Sequence, residues 1–453
     1  MLERSTKDSV HLFQYGTYGR IGYEYTKEQI ATLASVYELL TWVYAGSGVA
    51  EAAHAANPAT LVTQYFDLTW VGNYIQPGAG QSWMPAPWNY VNAHENFFSH
   101  SSPPASPGTR IANPIFGYSP QGDERTQDPT GTPLEFLANP YDLDARRPGN
   151  LNHWINYFTA QSRSLIAQSG MDGLMMDEVC QPYVPQPFGS TPESWYEALE
   201  RDLAFIRDQL GPDLVMFYNG TATDEILQPP DLGDPYPFSR PASLNYLNWC
   251  DGALMEFFVT SYLGPPVWPQ GIWEEILDAC MAIAERGVLL AGAPGGADDP
   301  VTRSFVLASF HLVKGDRSYM SHGGFNWYPE WSVRMGAPLH TAQHIQDYLV
   351  LPGVAAPGIA SASGVVYARA FEKGVALANP SAVDAPAEGV ALANPSAPAS
   401  TVTLAQPGYL VVPRGGGAIG ADGALPAGRV DYQPVEKVSL PSQSGALVLW
   451  QRP

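Results

Sequence analysis

Ser169-Gly170-Met171-Asp172-Gly173-Leu174-Met175-Met176-Asp177-Glu178-Val179 enters on a turn, runs through a short apolar segment and stops on two adjacent carboxylates. Asp-Gly is a turn pair that feeds a strand, and the apolar run behind it has the length of a short buried strand. In barrels and open sheets of parallel strands, side chains at the strand C-termini face the ligand. A carboxylate pair emerging there is either chemistry or a metal site. Its surroundings decide which.

Upstream, Val10–Tyr15, Leu39–Tyr44 and Thr60–Asp67 read as strands, separated by helices at Lys27–Tyr37 and Ala50–Ala56. Downstream, a helix with Thr191 as cap and Pro192 at its first position precedes a strand over Leu214–Tyr218. Asp251–Glu256, Val288–Ala291 and Asp316–Met320 continue the series, with helices over Ile272–Arg286 and from Asp299-Pro300 to Lys314. Eight strands alternating with helices predict a (β/α)8 TIM barrel over residues 1–337. The alternation breaks at 68–149, a stretch dense in Pro, Gly and aromatic residues, which is expected to roof the ligand face.

Past about Pro338 the pattern becomes strand-rich, with a hairpin signal at Val365–Ala378. Residues 338–453 are expected to form a small all-β, sandwich-like C-terminal domain. Gly374–Ala382 recurs identically at Gly389–Ala397. Two copies are too few for a solenoid, so a local duplication is the better account.

The bulk numbers narrow the function classes. The chain has 453 residues, 45% hydrophobic and 12% aromatic, with 44 acidic against 23 basic residues and a formal charge of −21. No basic stripe is available to neutralise phosphates, so nucleic acid and anionic membranes are excluded as partners. Neutral or cationic substrates fit better. Cys180, Cys250 and Cys280 lack metal-ligand spacing and leave a disulfide open. No apolar run is long enough to span a membrane, and the first nine residues lack a signal-peptide core. A cytoplasmic protein and a secreted one without its leader fit equally.

Three strands end on acidic groups: Asp67, Asp177 and Glu256. Asp177 and Glu256 close similar phrases, Asp172–Asp177 and Asp251–Glu256, two strands apart on the C-terminal rim. The aspartates that open those phrases read as turn residues. Paired carboxylates across a cleft are what glycosidic-bond cleavage requires, one as nucleophile or base and one as acid. The bland alternative is that each carboxylate pairs with a rim Arg or caps a helix. Glu178 points the opposite way from Asp177 and is assigned to a supporting contact. Asn219 could donate to a sugar hydroxyl, orient a carboxylate, or simply serve the turn before Gly220. Glu95, beside His94, is a roof candidate whose alternative is a loop hydrogen bond.

Trp70, Tyr74, Trp83, Trp88 and Trp327 supply flat faces of the kind that stack on sugar rings, although some will be core. Gly292–Ala297 and Gly323-Gly324 suggest a barrel phosphate site, but no P-loop, dinucleotide motif or nearby Lys accompanies them. No His-x-His, HExxH or serine elbow is present, so neither a metal nor a cofactor is expected.

Gly170–Asp177, Val215–Gly220, Asp251–Glu256 and Ala308–Tyr319 resemble the glycoside hydrolase barrels called hypothetical glycosyl hydrolase family 15. More distantly, the chain is similar to the endo-polygalactosaminidase family. The resemblance implies a TIM barrel followed by an accessory sandwich, to which Gly374–Ser381 fits. It also implies that the strand-four Asp and strand-six Glu are the catalytic carboxylates, here Asp177 and Glu256, acting with retention. The doubled Asn-Pro-Ser segment and the long third loop depart from the pattern, so the sugar and linkage stay open. A carbohydrate is the expected partner, the oligomeric state is left open, and a non-catalytic carbohydrate-binding barrel is the runner-up reading.

Overall fold

The computed structural model describes residues 9–14, 16–17, 20–72, 88–100, 110–111, 135–139, 153–179, 192–220, 243–260, 267–293, 299–381 and 399–453. Strands β1 (His11–Gln14), β2 (Leu39–Val43) and β3 (Leu61–Asp67) come first. Two short strands, β4 (Trp70–Gly72) and β5 (Glu135–Leu137), pair within the insertion. Then follow β6 (Gly173–Asp177), β7 (Val215–Asn219), β8 (Gly252–Met255), β9 (Val288–Gly292) and β10 (Ser318–Ser321). Their order, β1-β10-β9-β8-β7-β6-β3-β2, closes a barrel of eight parallel strands in chain order. The chain is a TIM-type barrel, and each barrel strand falls within a residue or two of its sequence-based position.

Among the described residues the α-helices are α1 (Lys27–Val36), α2 (Val49–Ala56), α3 (Trp88–Asn92), α4 (Trp154–Ser169), α5 (Pro192–Leu210), α6 (Gln270–Arg286) and α7 (Pro300–Val313). Their starts have local causes. Thr26 and Gln29 form a capping box at α1. Asp299 accepts from the N–H groups of Val301 and Thr302 while Pro300 fills the first position of α7. The expected Thr191 cap lies outside the described residues. Among the described residues no helix is long and apolar enough to cross a membrane.

The chain divides into two compact units, Gly16–Leu254 (with Met1) and Leu2–Tyr15 with Met255–Pro453. Residues 338–453 thus belong to a unit that also holds the last barrel strands. In this second unit, β12 (Ile359–Ser363), β13 (Tyr367–Phe371), β14 (Gly374–Asn379), β15 (Ser400–Gly415) and β18 (Ser444–Leu449) form an antiparallel sheet ordered β12-β15-β18-β14-β13. β17 (Gly428–Leu440) adds to β15 as a sixth strand. Alternation along β14 explains why both faces are buried. Val375 and Leu377 join a core with Val402, Val438, Ala446 and Val448, while the small residues Gly374, Ala376 and Ala378 occupy the other face.

Helix α7 lies against β14 and β18. A Cβ added at Gly445 would stand 2.7 Å from the Cβ of Ala308, so only glycine lets the helix approach this closely. From Phe305 to Val313 every residue of the helix is buried, and this stretch is correspondingly apolar but for Ser309 and His311. Its C-terminus is closed by the buried Arg369 of β13, whose Nη1 donates to the carbonyls of His311, Leu312 and Lys314 at 3.1, 3.0 and 2.8 Å. A cation is favoured there by the helix dipole. Cys250 and Cys280 are buried, and neither is in a disulfide. The second copy of the repeated nonapeptide lies outside the described residues.

Candidate active site

Asp177 is the last residue of β6 and is buried. Alternation places Gly173, Met175 and Asp177 on one face of the strand. On the neighbouring strand, Tyr65 lies two residues before Asp67, which pairs in register with Asp177. The Tyr65 hydroxyl donates to Asp177 Oδ2 at 2.5 Å. On the other side, Asn219 ends β7 and donates through Nδ2 to Asp177 Oδ1 at 2.8 Å. The Glu178 N–H adds a second donor to Oδ1 at 2.9 Å. Burial pushes the Asp177 carboxyl above its ordinary range, and these three donors pull against it. Among the described residues no cation pairs with it.

Three features hold this geometry. Glu178 is in the left-handed region (φ 55°), uncommon for a residue with a side chain. Its carbonyl accepts from the Thr69 hydroxyl at 2.7 Å, and the Val179 N–H donates to the Asn219 carbonyl at 2.8 Å. The chain leaving β6 is thereby fastened to its neighbours on both sides. The third feature is a bulge in β2. Trp42 is left-handed (φ 61°), and the β2–β3 register shifts between Leu40 and Val43. The rings of Trp42 and Tyr44 lie 5.2 and 5.8 Å from that of Tyr65 and fix its position.

The other candidate residues fall in different settings. Asp67 Oδ1 accepts from the N–H groups of Thr69 and Trp70 at 3.0 and 2.8 Å, shaping the loop after β3. Trp70 is 2% exposed, so it offers no open ring face and packs as core. Glu95 is held by Arg110 and by His100 at 2.8 Å, and the guanidinium pulls its carboxyl down to about 2. That is the loop hydrogen-bond role. Tyr74, Trp83, the Trp88 side chain and residues 294–297 of the glycine-rich stretch lie outside the described residues.

Glu256 belongs to the second unit, half-buried at the first position after β8. Its turn is anchored by the Phe258 N–H to the Gly292 carbonyl at 2.8 Å and by the Trp268 indole to the Phe257 carbonyl at 3.0 Å. Val259 in the same turn is left-handed (φ 51°), a costly conformation for a β-branched residue. Also in this unit, β11 (Asn326–Trp327) pairs with β16 (Gly417–Ala418). The hairpin of β15 and β17 therefore reaches the segment that follows β10. A Cβ at Gly416 would meet the Tyr328 ring at 2.6 Å. Trp327 is half-buried beside Gly428.

The sequence model described as hypothetical glycosyl hydrolase family 15 matches residues 118–375, more than half of the chain. The chain belongs to that family. The description of that family is in keeping with the barrel. No curated protein matches the sequence.

Among solved structures, it is similar to the spore cortex-lytic enzyme SleL of Bacillus cereus at 13% identity, covering 63% of this chain and 51% of that one, with a TM-score of 0.34. The chitinase domain of the spore coat protein CotE of Clostridium difficile matches at 12% identity, over 63% and 65%, with a TM-score of 0.29. A trehalulose synthase, MutB, matches at 11% identity over 98% and 99%, with a TM-score of 0.45. The chain thus spans about half of the first of these and under two thirds of the second. None of these likenesses bears on substrate or mechanism.

Sequence reasoning missed Tyr65. The available signal was its parity with Asp67 on a strand neighbouring β6, which becomes informative only once the register is known.

Proposed function

We propose that this family 15 chain hydrolyses glycosidic bonds in a poly- or oligosaccharide by a retaining two-carboxylate mechanism. Asp177 is the nucleophile and Glu256 the acid/base. The observation that carries the reading is the state of Asp177: buried at a strand C-terminus, oriented by three neutral donors and paired with no cation among the described residues. A nucleophile must stay ionised while remaining poorly solvated. The donors favour the ionised form against the larger opposing effect of burial, and no guanidinium among the described residues competes for the attacking oxygen.

In the first step Asp177 attacks the anomeric carbon as Glu256 gives its proton to the leaving oxygen. In the second, Glu256 takes a proton from water, which displaces Asp177 and restores both groups. Attack discharges the buried carboxylate, so the cost of holding that charge in a dry site is relieved along the reaction coordinate. Tyr65 and Asn219 keep the attacking oxygen aimed through this change. The assignment of Glu256 rests on its sequence phrase, its position directly after β8 and the family resemblance.

The test is a panel of poly- and oligosaccharides scored for reducing ends, followed by NMR of the first-formed anomer. Asp177→Asn and Glu256→Gln, folded as the parent, are expected to lose about a thousandfold or more in kcat, and the product anomer to match that of the substrate. Full activity in either variant overturns the assignment. Glycan binding without any product overturns the hydrolase reading in favour of a binding barrel.

A further inference from the structure

A cavity of about 500 Å³ lies in the second unit, where the ends of several strands of the C-terminal sheet converge. The β13–β14 turn, Glu372-Lys373, is strapped on two sides. Its N–H groups donate to the carbonyls of Ala337 and Met335, and the Lys373 carbonyl accepts from the Trp450 N–H at 2.8 Å. Glu372 Oε2 also accepts from the Ala337 N–H at 3.2 Å. The walls are thus strand ends and a pinned turn.

Three cations line this space, Arg334, Lys373 and Arg452, together with the half-buried rings of Tyr432 and Trp450. Neither Arg334 nor Arg452 meets a carboxylate among the described residues. That is notable in a chain where acidic residues outnumber basic ones 44 to 23. Charges more than about 8 Å away are largely screened at physiological ionic strength. The local groups, three cations against the one side-chain carboxylate of Glu372, and not the net charge of −21, therefore set what the cavity attracts. The volume is that of a small-ligand site.

We infer that this cavity is a secondary, non-catalytic binding site for an anionic saccharide. Guanidinium groups take a carboxylate or sulfate by paired, charge-assisted hydrogen bonds. The two aromatic faces suit the apolar face of a pyranose ring, and Glu372 can accept from its hydroxyl groups. The choice of a saccharide over another ring-bearing anion rests on the glycoside hydrolase reading above.

Calorimetry at physiological ionic strength tests it, with tri-galacturonate as probe, its full methyl ester as the uncharged counterpart and sodium acetate as charge without a ring. Tri-galacturonate is expected to bind at least about tenfold tighter than either. Arg334→Gln and Arg452→Gln, both at exposed positions, should each weaken it about tenfold while leaving hydrolysis of the panel substrate unchanged. Asp177→Asn should leave the binding intact, which separates failure of this site from failure of the catalytic reading. No binding of tri-galacturonate, equal binding of the ester or of acetate, or binding indifferent to both arginine variants overturns the proposal.

Discussion

The two ends of β6 carry aspartates held in opposite ways. At the start, Asp172 Oδ2 accepts from the Val62 N–H at 2.8 Å and lies 3.1 Å from His54 Nε2. The related phrase at β8 repeats the arrangement, where Asp251 Oδ2 accepts from the Met216 N–H at 2.8 Å and from Arg207 at 2.6 Å. Each strand-start carboxylate thus meets a basic side chain and pins its strand to the preceding one. At the other end of β6, five residues on, Asp177 has only neutral donors. Carboxylates at strand starts serve register and stability. At the strand end, burial raises the Asp177 carboxyl and no cation among the described residues offsets it, the kind of setting in which functional groups are tuned at the expense of stability.

The largest way to probe this contrast is a buried carboxylate that does have its cation. Glu330 and Arg303 are 2% and 5% exposed, with Nε and Oε1 2.9 Å apart, and Arg303 also lies over the Tyr328 ring at 4.3 Å. Burial pushes the Glu330 carboxyl up while Arg303 holds it down. Arg303→Met strands that charge and is expected to cost about 3–5 kcal/mol in urea unfolding. Combining it with Glu330→Leu should recover most of the loss. A double variant no better than the single one would mean that packing, not charge, holds this site.

A smaller effect is expected at a strand start. Asp251→Asn removes a half-exposed pair with Arg207, so its charge-assisted bond is discounted for solvent to about 1–2 kcal/mol of stability, with kcat unchanged. A kcat loss comparable to that of Asp177→Asn would erase the distinction between the two ends of a strand.

Smaller again is Tyr65→Phe. It removes a donor that favours the Asp177 carboxylate, so the Asp177 pKa rises further. The acid limb of the kcat/KM profile should move to higher pH, with a loss of roughly threefold to tenfold at its optimum. An acid limb that moves to lower pH contradicts the donor role.

The barrel was legible in the sequence because strand and helix periodicity, the Asp299-Pro300 start and the Asp-Gly turns are local signals. Asp177 was legible for the same reason, since it closes an apolar run. Asn219 was left among three roles, and the contact with Asp177 selects one. Tyr65 and the Trp42 bulge were not legible, because which residues of adjacent strands face each other depends on barrel register, a property of the closed sheet. Trp70 and Glu95 show the converse limit. Composition marks an aromatic, acidic insertion but cannot tell an open ring from a packed one, or a free carboxylate from one clamped by Arg110. Arg369, 55 to 58 residues from the carbonyls it caps, carried no local signal at all.

The most direct test of an unneutralised Asp177 needs no substrate. A carboxyl raised by burial binds its proton more tightly in the folded than in the unfolded chain, so folding stability falls as pH rises from about 4, the ordinary Asp value, through the raised one. Asn at this position can still accept the two bonds made to Oδ1 and can donate to the Tyr65 oxygen, without the charge. Unfolding free energies of the parent and Asp177→Asn, measured in urea across about pH 4 to 8, should therefore diverge as pH increases, with the variant the more stable at neutral pH. A difference that stays flat with pH, or a variant that becomes progressively less stable than the parent as pH rises, would contradict a buried, uncompensated carboxylate at the end of β6.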